Sequence, residues 1–161
     1  MNDTMRQDAI SRVGITIAID GPAGSGKSTV SKALAARLGI GYLDTGAMYR
    51  ALTWYCLDRG IDLADIAAVA AAAHEMPLRL VSDPSDPHVW VGEREITQEI
   101  REPRIALEIK HVSTNLDVRA WMAEEQRRRM MEAREEGSGM IAEGRDITTV
   151  VCPDADVRIL L

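Results

Sequence analysis

Gly21-Pro22-Ala23-Gly24-Ser25-Gly26-Lys27-Ser28, set behind the apolar run Ile15-Thr16-Ile17-Ala18-Ile19, decides the fold. The octapeptide is a complete G-x-x-x-x-G-K-[ST] loop, and the run before it reads as a buried strand. A strand that delivers the chain into a glycine-rich turn lets successive backbone N–H groups wrap a polyphosphate. A helix opening at Lys27 aims its positive dipole end at the same charge. Side chains at Gly21, Gly24 and Gly26 would block that approach or the positive φ angles it needs. Lys27 reaches the β and γ phosphates, and the Ser28 hydroxyl is placed to ligate Mg²⁺. In the helix that follows, Val30, Leu34 and Leu38 recur at i, i+4 and i+8 and are expected to face a core, with Gly39 as the stop.

Working outward, 161 residues suit one domain with a small insertion. Hydrophobic residues make up 46% and charged residues 27%, the balance of a soluble globular chain. With 4% aromatics and no Phe, the core has to be built from small aliphatics and Met. A net charge of −6 argues against a nucleic-acid polymer as partner, since that would favour a broad basic surface. Cys56 and Cys152 have neither metal-ligand spacing nor a C-x-x-C pattern. They read as buried reduced thiols, the usage of a cytoplasmic protein. No apolar run approaches the ~18 residues of a membrane span. Residues 1–13 read as a loose polar leader, not a signal peptide.

The order of elements extends the fold. Ile40-Gly41-Tyr42-Leu43 predicts a second strand, and a helix follows from Ala47 to Arg59 with Gly60 as its stop. Met140-Ile141-Ala142 and Val157 to Leu161 predict further strands of one parallel sheet with crossover helices. Between them lies a different pattern: an Ala-rich helix over 64–74, then short strands Leu78-Arg79-Leu80-Val81, Val89-Trp90-Val91 and Glu95-Ile96-Thr97. Hairpins interrupting an α/β pattern predict an inserted antiparallel subdomain. Pro103 suits the first turn of a helix with Ile105, Ile109 and Val112 on one face. A long helix over 118–136, capped within 114–117, carries Arg127-Arg128-Arg129 as a solvated face paired with Glu124, Glu125 and Glu132.

A P-loop alone is shared by kinases, GTPases, motor ATPases and some transferases. Two segments at predicted strand ends narrow the field: Asp44-Thr45-Gly46-Ala47-Met48-Tyr49-Arg50, and Glu143-Gly144-Arg145-Asp146 with Thr148-Thr149-Val150-Val151-Cys152-Pro153-Asp154-Ala155 behind it. Parallel sheets gather their ligands at such ends. With Val118-Arg119 and Gln126-Arg127, these segments resemble the bacterial cytidylate kinase family over residues 15 to 161.

The resemblance implies a P-loop α/β fold of three layers over residues 14–161, with the insertion, at about 62–115, serving as the monophosphate-binding subdomain. It implies ATP as donor on Gly21 to Thr29 and CMP or dCMP as acceptor, giving ADP and CDP or dCDP. Lys27 and Arg145 are then catalytic, Arg50 and Arg145 meet the acceptor phosphate, Arg119 and Asp146 read cytosine, and Thr45 joins the acceptor pocket. Ser28 and Glu143 are the Mg²⁺-side residues. A monomer is expected. Members of the family place a Ser where this chain has Lys110, whose long side chain is expected in solvent with Ser113 one turn on. The family also continues past the strand ending at Leu161 with an Arg-rich lid, helices and a last strand, which the resemblance puts outside these 161 residues. Other readings stay open at this point: a P-loop kinase for UMP, AMP or shikimate, and a nucleotide-binding module without turnover.

The chemistry of such an acceptor suits these residue types. Arg offers a phosphate bidentate contacts that Lys cannot. An Arg donor with an Asp acceptor complements cytosine's O2, N3 and N4 edge, whereas uracil would turn O4 towards the carboxylate.

Overall fold

The computed structural model describes residues 14–161, so the leader expected over 1–13 lies outside the described residues. In chain order the elements are β1 (Thr16–Asp20), α1 (Lys27–Leu38), β2 (Gly41–Asp44), α2 (Thr45–Asp58), α3 (Ile66–Glu75), β3 (Leu78–Val81), β4 (His88–Val91), β5 (Arg94–Glu95), a 3₁₀ turn (Glu99–Arg101), α4 (Pro103–Ser113), α5 (Leu116–Glu135), β6 (Met140–Gly144), a π-helical turn (Ile147–Val151) and β7 (Val157–Leu160). The described chain divides into two compact units. One holds residues up to Thr45, 82–86 and 124–161, and the other holds 46–81 and 87–123.

The first unit is a four-stranded, all-parallel sheet in the order β2-β6-β1-β7. All five residues of β1 are buried, as expected of a parallel strand covered on both faces. Register assigns the faces. Ile17 pairs with Ile141, Ile19 with Glu143, and Tyr42 and Asp44 pair with the same two β6 residues, so these six side chains share one face. There Ile17, Ile19, Tyr42 and Ile141 pack with Ala35 of α1 and with Ile40, flanked by Leu34 and Leu38. The expectation for α1 needs a correction. Val30 is 44% exposed, and the fully buried residues of the helix are Ser31 and Ala35. A close helix-to-sheet approach selects these small side chains on the contact line, so Leu34 and Leu38 pack beside it as expected and Val30 alone turns outward.

The second unit contains the remainder of α2, helices α3 and α4, the start of α5, and an antiparallel sheet β3-β4-β5. Its core includes Met48, Leu52, Val69, Ile96, Ile100, Ile105, Val112, Val118 and Met122, the aliphatic and Met composition read from the sequence. Asp65 caps α3 through Ala68 N–H, and Asn115 accepts from Asp117 and Val118 N–H at the start of α5. The third antiparallel strand is shorter than expected, ending at Glu95. Ile96 N–H still donates to Val89 O, but Val89 N–H turns to the Thr97 hydroxyl, so a side chain takes over the ladder.

Candidate nucleotide-binding site

Gly26 is the N-cap of α1 at φ +84°, and Gly24 lies at φ +78°, so both loop glycines occupy the left-handed region that other residues avoid. A Cβ added at either would meet no heavy atom within 4 Å, so conformation and not crowding selects Gly there. Gly21 differs: a Cβ would meet the Ser25 hydroxyl at 2.7 Å. Lys27 Nζ donates to Pro22 O at 3.4 Å, which lays the lysine along the loop. The first turn of α1 carries no acidic residue, so the helix's positive end is uncompensated within it.

Glu143 reaches this loop from β6. The residue is 2% exposed; Oε1 accepts from Ser28 Oγ at 2.6 Å, and Oε2 is buried with no hydrogen bond of good geometry among the described residues. Beside it on the same sheet face, Tyr42 keeps its hydroxyl buried next to the Glu143 carboxylate and the Ser28 hydroxyl. Burial, reinforced by the negative charges of Asp44 and Glu143, pushes the Tyr42 phenol above its ordinary range. A buried carboxylate with one unsatisfied oxygen normally costs about 1–3 kcal/mol or more. A divalent cation or its water is the chemistry that offsets such a cost, and a serine hydroxyl with a carboxylate is a hard, oxygen-only donor pair of the kind Mg²⁺ takes.

The opposite sheet face carries the segment after β6. Gly144 leaves no room for a side chain: a Cβ would lie 2.4 Å from Thr45 Oγ1 and 2.9 Å from Ile147 Cδ1. Thr45 is buried and donates its hydroxyl to Glu143 O at 2.7 Å, while Gly21 N–H donates to Gly144 O at 3.2 Å. Arg145 is exposed and Asp146 half-buried, and the π-helical turn then begins. Such turns break helix regularity and concentrate at functional sites. Further on, Arg127 holds Asp154 through two nitrogens at 2.7 and 2.9 Å and also donates to Val151 O. That bidentate pair keeps the Asp154 carboxyl well below the usual range. Arg128 meets Glu125 and Glu132, and Arg129 meets Glu125, so the expected helix-face pairing holds in part: Glu125 takes the place expected of Glu124 on Arg128, and Arg127 turns to Asp154 instead.

The P-loop, Thr45, Glu143, Arg145 and Asp146 therefore share the first unit, whereas Arg50, in the second turn of α2, and Arg119, in the first turn of α5, belong to the second. Arg119 and Lys110 are exposed, and Ser113 Oγ donates to Lys110 O. Sequence reasoning missed Asp20 and Tyr42. Their signal was slight: an acid closing an apolar strand just before the loop, and a tyrosine alternating with Asp44 towards one sheet face.

A glycine-rich loop between a central parallel strand and a helix, with a buried acid from the neighbouring strand on its serine, defines a P-loop α/β protein. The chain belongs to the cytidylate kinase family, whose family model matches residues 17–161. It is 44% identical over 147 residues to a cytidylate kinase of Streptomyces avermitilis, covering 91% of this chain and 62% of that protein. A cytidylate kinase of Rhodococcus opacus is 43% identical over 152 residues, covering 94% and 65%. A bifunctional pantoate ligase/cytidylate kinase of Thermosynechococcus vestitus is 44% identical over 147 residues, with 90% and 28% covered. The chain thus spans 62% of the length of the first of these relatives. Among the described residues no helix is long and apolar enough to cross a membrane.

Proposed function

We infer that the protein transfers the γ-phosphoryl group of ATP to CMP or dCMP, giving ADP and CDP or dCDP. The observation that carries this reading is the bond from Gly21 N–H to Gly144 O at 3.2 Å, which sets the first residue of the phosphate loop beside the residue preceding Arg145-Asp146. A donor loop and an acceptor-reading pair on adjacent strand ends is the arrangement an in-line transfer between two nucleotides requires.

Lys27 and the α1 N-terminus hold the donor phosphates. Arg145 and Arg50 hold the acceptor phosphate, and Arg119 and Asp146 read the cytosine edge, with Thr45 lining the pocket. No general base is needed, because the attacking phosphate oxygen is already ionised. Catalysis is positioning and charge stabilisation. Ser28 and Glu143 suit Mg²⁺, directly or through its water, and the ion supplies neutralisation of the β and γ phosphates. Residues 62–115 serve as the monophosphate-binding insertion, and the protein works as a cytoplasmic monomer.

The test is a coupled ADP-release assay with ATP·Mg²⁺ and a panel of CMP, dCMP, UMP and AMP, run on this chain and on a version extended to its relatives' length. CMP and dCMP should exceed UMP and AMP in kcat/KM by ~10²-fold or more. Equal rates with UMP or AMP would overturn the acceptor assignment, and ATP binding without any ADP formation in either version would make the chain a nucleotide-binding module.

A further inference from the structure

Asp20 closes β1, precedes the phosphate loop by one residue, and is 2% exposed. A carboxylate buried this deeply has to be filled with donors. Three supply it, and all come from the start of the π-helical turn. Oδ1 accepts from Ile147 N–H at 2.9 Å, and Oδ2 accepts from Thr148 N–H at 2.8 Å and Thr148 Oγ1 at 2.6 Å. Asp20's main chain is held as well, since its carbonyl accepts from Leu161 N–H at 2.9 Å. The residue is thus a fixed strut between the central strand and the turn.

What lies between the fixed points gives the strut its consequence. Gly144 is pinned by Gly21 N–H, and Ile147 and Thr148 are pinned by Asp20, so only Arg145 and Asp146 span the gap. Asp146 O in turn accepts from Val150 and Val151 N–H within the turn that Asp20 holds. Two residues between anchors have almost no slack, because consecutive Cα atoms are ~3.8 Å apart. A shift of the turn's first N–H groups passes directly into the placement of Asp146 and the aim of Arg145.

We propose that Asp20 is a positioning residue for acceptor recognition: its carboxylate fixes the start of the π-helical turn and thereby the geometry of Arg145 and Asp146, while it touches neither nucleotide. This rests on the reading of Arg145 and Asp146 as acceptor contacts. The sheet divides the labour, with Ser28 and Glu143 on one face and Asp20 with the turn on the other.

The test uses the extended protein and compares kcat/KM for CMP and UMP with the KM for ATP. Asp20→Asn keeps the shape but turns an amide NH₂ towards a backbone N–H. It should raise the KM for CMP and narrow the CMP/UMP preference by ~10-fold, leaving the ATP KM within about twofold. Thr148→Val, which removes one of the three donors, should move the same ratio less, and Thr148→Ser should restore it. If Asp20→Asn lowers CMP and ATP parameters in step with the ratio intact, Asp20 is only a fold support and the proposal fails. Should that variant not fold, an unchanged ratio in Thr148→Val overturns the proposal by itself. Asp146→Asn separates the two levels. An unchanged CMP/UMP ratio there removes the acceptor reading and the proposal with it, whereas a narrowed ratio there beside unchanged Asp20 and Thr148 variants removes the proposal alone.

Discussion

In the proposed reaction, Lys27 is the residue whose contribution is most directly chemical. Its ammonium lies along the loop, against Pro22 O, and it is the phosphate-loop cation nearest the helix N-terminus. Lys27→Ala removes one preorganised positive charge and no buried contact, so the fold should persist while phosphoryl transfer falls roughly 10²–10³-fold. Circular dichroism and the ADP-release assay read the two halves of that statement, and near-normal turnover would take Lys27 out of the mechanism. Residues of this kind were legible from sequence because their spacing is a local, contiguous requirement. Glu143 was legible as a strand-end acid, but its contact with Ser28 joins positions 115 residues apart, and only the register of β6 against β1 creates it. Asp20 carried only a slight signal: an acid at the end of an apolar strand gives no sign of which distant N–H groups it will hold.

At the scale of elements, β7 is joined to β1 by more than its ladder. Thr16 N–H and Oγ1 donate to Asp156 Oδ2 at 2.9 and 3.0 Å, Asp156 N–H returns to Thr16 Oγ1 at 3.2 Å, and Arg134 of α5 closes the group on the same carboxylate. The Thr16 N–H bond and then Arg134 hold the Asp156 carboxyl below its usual range. A carboxyl depressed in the folded state adds stability above its unfolded pKa of ~4, and that stability is lost as pH falls through the folded value. Asp156→Asn should therefore lower the urea midpoint at pH 7, with the gap to the parent chain closing as pH drops below ~4 and through the depressed folded value. A constant gap would show that shape and not charge makes the clamp. The strands at 78–81, 140–144 and 157–160 were legible because apolar, β-branched runs flanked by Gly, Pro and Asp specify them locally. The buried face of α1 was legible only through Leu34 and Leu38, because Ser31 and Ala35 are chosen by closeness to the sheet, a tertiary condition that hydrophobic period does not report.

Over the whole molecule, each compact unit holds one buried thiol, Cys152 in the first and Cys56 in the second. Burial raises both above the ordinary thiol range, Cys56 to about 11, so neither is a reactive thiolate at neutral pH and each is modified only when its surroundings open. ATP contacts only phosphate-loop residues of the first unit in the proposed function, and a ligand that binds the closed state suppresses opening by the factor 1 + [L]/Kd. In single-thiol variants at ATP ~100 times its Kd, Cys152 modification should slow by up to ~100-fold, and Cys56 modification by much less. Thiol-exchange kinetics with and without ATP decide it. Equal slowing at both cysteines would mean that the chain opens as one body, and no slowing at Cys152 would mean that its exposure does not pass through the unit that holds the nucleotide.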